Sequence, residues 1–245
     1  MLEKNSVHHG DCLELMKLIE DKSIDLILAD LPYGTTACKW DTIIPFEPLW
    51  EQYKRIIKDN GAIVLTASQP FTSALVMSNI KMFKYEWIWE KHQGTNPMNA
   101  KISPLKSHEN ILCFGKKIKY NPQMGKGKPY YGFYSDKKQS DVYGGGKSLH
   151  RSNPEGSRYP KTVLYFTKDN GKRLHPTQKP VALFEYLIKT YTNEGDLVLD
   201  NCAGSFTTAI AAENTKRNWI CIEQLEEYCE IGKKRIEENR KKLST

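Results

Sequence analysis

The chain has 245 residues, enough for one large domain or a core domain carrying an insertion, and its 39% hydrophobic and 27% charged residues exclude wholesale disorder. Lys and Arg number 36 against 29 Asp and Glu, a mildly basic +7. No apolar run approaches the roughly 20 residues that span a bilayer, and residues 1–10 are polar with no signal core, so a cytoplasmic protein is expected.

In chain order, the first apolar run is residues 24–29, Ile-Asp-Leu-Ile-Leu-Ala, which stops at Asp30. A helix-like stretch over about 48–58 leads into a strand at 61–66, and 85–89 and 110–114 read as two more strands. The texture then changes. Residues 115–175 hold 14 Lys and Arg against 4 Asp and Glu, a balance of +10, which leaves −3 for the rest. The same stretch has nine Gly and nine aromatics. Basic residues interleaved with rings suit a nucleic-acid surface, because charge tracks phosphates and rings stack on bases; a solvated loop has the same composition. Helical patterns return at 180–191, 207–214 and 225–241, alternating with strands at 197–199 and 219–222. Short buried strands alternating with helices imply a mostly parallel sheet covered on both faces. The six cysteines, Cys12, Cys38, Cys113, Cys202, Cys221 and Cys229, form no C-x-x-C pair, so reduced thiols and no metal site are expected.

Three segments carry chemistry. The strand at 197–199 ends in Asp200, followed by the small-residue turn Asn201-Cys202-Ala203-Gly204-Ser205, and the next strand ends in Glu223, 19 residues after Gly204. A tight turn admits a ligand to the backbone, and an acid about 20 residues on can hold ribose hydroxyls; a plain strand–helix turn looks the same. Asp30-Leu31-Pro32-Tyr33 also follows a strand, so it faces the same crevice. Its carboxylate, a backbone carbonyl and a ring would suit an exocyclic amine on a planar base, or form an Asp-capped turn. His175-Pro176-Thr177-Gln178-Lys179-Pro180 opens a helix, where backbone donors and Thr177 can hold a carboxylate.

Together these segments give the sequence a family resemblance, to the S-adenosylmethionine-dependent amino-methyltransferases of DNA, and to their beta group, in which the catalytic motif precedes the cofactor motif. Asp30 to Tyr33 matches D-P-P-Y, Asp200 to Thr208 matches D-P-F-x-G-S-G-T-T, and His175 to Pro180 matches H-P-T-x-K-P. His108-Glu109 with Ile111 to Phe114 matches H-E-x-I-L-x-F. The resemblance covers the chain except 116–158, where the family has its target-recognition region. It implies a doubly wound, mostly parallel, seven-stranded α/β sheet, the Rossmann-like methyltransferase fold. The catalytic domain would be 1–115 and 159–245, with 116–158 inserted. Leu31 replaces the first proline of the catalytic motif, and Asn201-Cys202 replace Pro-Phe. Phe206 replaces a glycine; if that position needs positive φ, Phe206 is strained.

The resemblance implies roles for individual residues. Asp30, Pro32 and Tyr33 would face the target base, Asp30 also bordering the cofactor. Asp200, Ala203, Gly204 and Ser205 would line its methionine and ribose, and Glu223 would hold the ribose hydroxyls. Asp11 and Cys12, after a strand at 7–9 beside 219–222, would meet its adenine; Thr177 and Lys179 would hold its carboxylate. Lys126, Lys128, Lys137, Lys138, Lys147, Arg151 and Arg158 would contact DNA. The implied reaction moves a methyl from S-adenosylmethionine to the N6 amine of a flipped adenine in double-stranded DNA. The alternatives are N4-cytosine methylation, an RNA or protein-amide substrate, or a catalytically weak DNA-binding relative. A homodimer and a cognate restriction endonuclease are the further partners implied; no membrane is.

Overall fold

Apolar runs bounded by acids and small residues fix the frame of this molecule. The structure, a computed structural model, describes residues 2–35, 38, 41–135, 149–167 and 178–244. Their elements are β1 (Ser6–His9), α1 (Cys12–Met16), β2 (Ile24–Asp30), α2 (Phe46–Ile56), β3 (Ile57–Ala67), α3 (Phe71–Ser78), β4 (Phe83–Thr95), β5 (Lys106–Phe114), β6 (Gly125–Lys126), β7 (Tyr130–Ser135), β8 (Leu149–Asn153), β9 (Ser157–Arg158), β10 (Val163–Tyr165), α4 (Val181–Tyr191), β11 (Leu197–Asp200), α5 (Thr207–Asn214), β12 (Asn218–Glu223) and α6 (Glu226–Leu243). Two units result: Met1–Asn121 with Thr162–Thr245, and Pro122–Lys161.

The first unit holds a sheet of order β1-β12-β11-β2-β3-β5-β4-β10. β1, β12, β11, β2 and β3 are mutually parallel, β5 is antiparallel to β3 and β4, and β10 lies parallel to β4. From β2 the chain winds outward to β3, and from β11 outward the other way to β12, so the winding reverses between β2 and β11. At such a switch point the outgoing loops part and leave a crevice beyond the carboxyl ends of the strands. Asp30 ends β2 and Asp200 ends β11, one acid on each lip.

The sheet has eight strands where seven are expected. The extra one, β10, pairs Val163 with Ile88 and Tyr165 with Glu90. Only its Leu164 is buried, and three residues are too few to display a period.

Both faces of the sheet are dry at its centre. Along β2, Leu26 and Leu28 point into a cluster with residues of α4, α5 and α6, while Ile27 and Ala29 point into one with residues of α1, α2 and α3. This double burial is why β2 reads as a continuous apolar run. Each fully buried Leu or Ile contributes about 1.5–3 kcal/mol.

In the second unit β6 pairs with β9 and β7 with β8, both antiparallel. Arg158 sits 5.1 Å over the Tyr130 ring, and its guanidinium donates to the carbonyls of Ser157 and Lys128. The side chain expected on DNA is thus engaged within its own unit. Lys126 and Lys128 are exposed. Lys137, Lys138, Lys147 and the side chain of Arg151 lie outside what is described.

Candidate active site

The β11–α5 turn forms one half of the crevice. Gly204 has φ +50° and Phe206 φ +60°, so the position where a glycine is expected does take the left-handed conformation. That costs a side chain about 1–2 kcal/mol. Burial of the ring offsets it: Phe206 is 0% exposed and packs on Gly232 of α6, where an added Cβ would lie 2.1 Å from its ring. The Asp200 carboxylate accepts from Cys202 N (3.0 Å) and Thr208 Oγ1 (2.5 Å), buckling the turn onto the helix behind it. Burial pushes its carboxyl up to about 7 against the pull of those bonds, and the charges of Asp30 and Glu223 add to the rise. Glu223 accepts from Gly204 N at 2.8 Å and Leu225 N at 2.9 Å. Asp11 is the N-cap of α1, accepting from Leu13 N and Glu14 N. The Cys12 and Cys202 thiols share a hydrogen bond that holds Cys12 below the usual thiol range; that bond and burial hold Cys202 well above it.

The other half centres on Asp30. Its Oδ1 accepts from Tyr33 Oη (2.7 Å) and from the Thr66 hydroxyl, and its Oδ2 meets Lys179 Nζ at 2.5 Å. The Tyr33 ring stacks on Phe71, centroids 5.2 Å apart, with the Lys179 ammonium 5.8 Å from its centre. Burial first, then the charges of Asp30 and Glu109, raises the Tyr33 phenol well above its ordinary value, so it stays a donor. Lys179 Nζ also lies 3.4 Å from Glu109 Oε2, and Glu109 Oε1 meets Lys91 Nζ at 2.5 Å. The result is a chain of alternating charge, Lys91–Glu109–Lys179–Asp30, in which both lysines are buried and both acids partly so. Burial opposes both central charges, yet the flanking partners outweigh it: Glu109 is held below the usual carboxylate range and Lys179 above the usual amine range. Asp41 accepts from Gly34 N and Thr35 N, both at 2.9 Å, tying down the loop after Tyr33.

Both halves face one cavity of about 540 Å³, inside the range of about 300–1,000 Å³ usual for small-molecule sites. Every described residue that the sequence assigns to catalysis or cofactor lines it; Thr177 lies outside the described residues. Sequence reasoning missed Thr66, Thr208 and Lys91. Lys91 did leave a signal: it follows Trp87 and Trp89 at the period of 2 that marks the buried side of β4. Among the described residues no cluster of His, Cys, Asp and Glu could hold a metal, and no helix is long and apolar enough to cross a membrane.

A parallel sheet with an acid-braced turn on one lip and a second acid facing the same cavity defines a nucleotide-cofactor enzyme with a companion substrate site. Comparison with known proteins narrows the class. Residues 24–234 match the DNA methylase family N6_N4_Mtase, and the chain belongs to that family. It is 30% identical to the Type II methyltransferase M1.MboII of Moraxella bovis, covering 93% of this chain and 95% of that one. It is also 30% identical to the DNA adenine methyltransferase YhdJ of Escherichia coli, covering 96% and 83%. Among solved structures, the M1.HpyAVI–SAM complex aligns with TM-score 0.62 at 26% identity over 94% of this chain and 98% of that one.

Proposed function

We propose that this DNA methylase moves a methyl group from S-adenosylmethionine to the N6 amine of an adenine flipped out of duplex DNA. The carrying observation is Asp30, a carboxylate at the switch-point crevice that shares one cavity with the Asp200–Glu223 turn. Support also comes from a relative named as a DNA adenine methyltransferase and from a relative solved with SAM.

The donor set fits the cofactor. Glu223 offers carboxylate lone pairs to vicinal hydroxyls, since each oxygen accepts one backbone N–H and can accept more. Ala203, Gly204 and Ser205 leave backbone open to close approach, with Asp11 and Cys12 bordering an adenine site. The Lys179 ammonium has three donors, one of them given to Asp30, and lies 3.4 Å from Glu109, so it can also reach a ligand carboxylate. When bound, S-adenosylmethionine supplies a methyl activated on a sulfonium.

The protein's part is to make a poor nucleophile reactive and to position it. An adenine amine has its lone pair delocalised into the ring. Hydrogen bonds from N6 to Asp30 and to the Leu31 or Pro32 carbonyl favour a pyramidal nitrogen with a localised pair. Lys179 orients the Asp30 carboxylate for that task, and Tyr33, backed by Phe71, gives the extruded base a flat partner. The unit Pro122–Lys161 takes the role of target recognition, with Lys126, Lys128, Lys137, Lys138, Lys147, Arg151 and Arg158 on phosphates. Self-association and a cognate endonuclease are read out by sedimentation and by protection of the methylated sequence from cleavage.

The test is methylation-sensitive sequencing, with nucleoside mass analysis, of DNA from cells expressing the chain. N6-methyladenine at one defined sequence is expected. N4-methylcytosine, or no mark, would overturn the reading.

A further inference from the structure

The β4–β5 hairpin continues past the point where the sheet needs it. Asp30 pairs with Thr66, and Thr66 with Ile111, so residues 110 down to 106 run out beyond the carboxyl edge that carries the crevice. Trp89 and Glu109 are partners at the hairpin's base and line the cavity. From Glu109 to Lys106 the arm projects roughly 10 Å further, and the tip follows.

That base is braced and the tip is ordered. The buried pair of Lys91 and Glu109 links β4 to β5, and Glu109 reaches Lys179. Gly94 lies so close to the opposite arm that an added Cβ would meet Leu105 Cβ at 2.7 Å. At the tip Ala100 N donates to Pro97 O (3.2 Å), and both Ile102 N and Ser103 N donate to Asn99 O (2.9 Å). A turn so tied gives the tip a defined backbone course. Yet Met98 is 92% exposed and Ile102 84%.

Two large apolar side chains held out in water on a braced arm call for an occupant. Charge selects it: from His92 to His108 there is no Asp or Glu, while Lys101 and Lys106 are exposed. That pattern matches a polyanion with apolar layers inside it, a stacked duplex. We propose that the 96–105 tip is a wedge that enters the DNA beside the target adenine, Met98 and Ile102 occupying the space the flipped base leaves, with Lys101 and Lys106 on the flanking phosphates. The inference rests on the adenine-flipping reading above. It adds that the energy to unstack the base comes partly from this arm, on the catalytic unit itself. Apolar wedges of this kind offset the cost of unstacking a base.

The experiment uses the full chain, S-adenosylmethionine and a duplex bearing the sequence mapped in vivo, with 2-aminopurine in place of the target adenine. Its fluorescence rises when the base leaves the stack. Met98→Ala with Ile102→Ala should cut the rise about tenfold and leave the cofactor dissociation constant unchanged. Opposing the target with an abasic position, which removes the pairing cost, should restore most of the loss. Met98→Leu with Ile102→Val, which keeps apolar bulk, should behave as wild type and decides the matter if the alanine pair fails to fold. Full flipping by the alanine pair, or flipping lost equally in the conservative pair, overturns the wedge. So does a change of oligomeric state with flipping intact, which would assign the tip to a second copy of the chain. A wild-type protein that marks no adenine defeats the earlier reading instead, and the sequencing shows that separately.

Discussion

The two lips of the crevice are built from different materials. On the cofactor side, Glu223 binds backbone amides of Gly204 and Leu225, and Asp200 binds one backbone amide and one hydroxyl of its own turn. Backbone donors cannot swing away, so these carboxylates are set before any ligand arrives. On the target side, among the described residues, Asp30 is held by side chains alone, Tyr33, Thr66 and Lys179. Side chains can yield, and a carboxylate that must receive an amine midway through a reaction needs partners that can. The difference teaches that fixed acceptors belong where a ligand docks, and adjustable ones where a group reacts.

The strongest way to break this comparison is at Asp30. Asp30→Ala should lower methyl transfer, measured as label incorporated into DNA, by 10²–10³-fold as an order of magnitude for one lost preorganised contact. Next is Glu223→Ala, which removes charged hydrogen bonds worth about 1.5–3 kcal/mol. It should weaken S-adenosylmethionine in a calorimetric titration by roughly 10–150-fold. Unchanged affinity would reduce Glu223 to a brace for its own turn.

Much of the first lip was legible because its chemistry is local. Asp200, the small-residue turn and Glu223 are close along the chain, and Phe206 could be suspected of positive φ from its place in the motif. What could not be read was its remedy, since Gly232 is 26 residues away and only the packing of α6 brings it under the ring. The second lip was legible only at Asp30 to Tyr33 and at Lys179. Thr66 sits at the end of an apolar run and does not stand out, and Lys91, within a strand whose outer half is polar, is marked only by its period-2 spacing from Trp87 and Trp89. The hairpin beyond Trp89 was invisible for the same reason: β4 runs to Thr95 rather than residue 89 and β5 starts at Lys106 rather than 110, and the added residues are mostly exposed. Charge runs across the chain said nothing of which cation serves which partner, nor that Arg158 would lie over the Tyr130 ring.

Smaller effects sharpen the comparison. Gly232→Ala should lower the thermal midpoint by the cost of overpacking, about 1–3 kcal/mol, because its Cβ would enter the Phe206 ring. In a Phe206→Gly background the same change should raise the midpoint, since alanine is the better helix former by about 1 kcal/mol. The same sign in both backgrounds would mean that the ring and Gly232 are not coupled. In the second unit, Lys126→Gln with Lys128→Gln should flatten the slope of log K against log salt for duplex DNA by up to about 2, with cofactor affinity unmoved; an unaltered slope would take both lysines off the phosphates. Asp200 gives the gentlest test. Its carboxyl, raised to about 7, keeps a proton in the fold that an unfolded chain releases near pH 4. Its favourable contribution is full below about 4 and is lost as pH rises through 7. The midpoint of the wild type minus that of Asp200→Asn should therefore fall between pH 5 and pH 8, and a constant difference would place the carboxyl's titration elsewhere.

The central claim is a division of labour, Glu223 for the cofactor and Asp30 for the target amine. A calorimetric titration of S-adenosylmethionine into the Asp30→Ala protein tests it most directly. The account predicts a dissociation constant within about threefold of wild type, a shift under 1 kcal/mol, in a protein that transfers almost no methyl. A loss of affinity as large as that of Glu223→Ala would contradict it and make Asp30 part of the cofactor site.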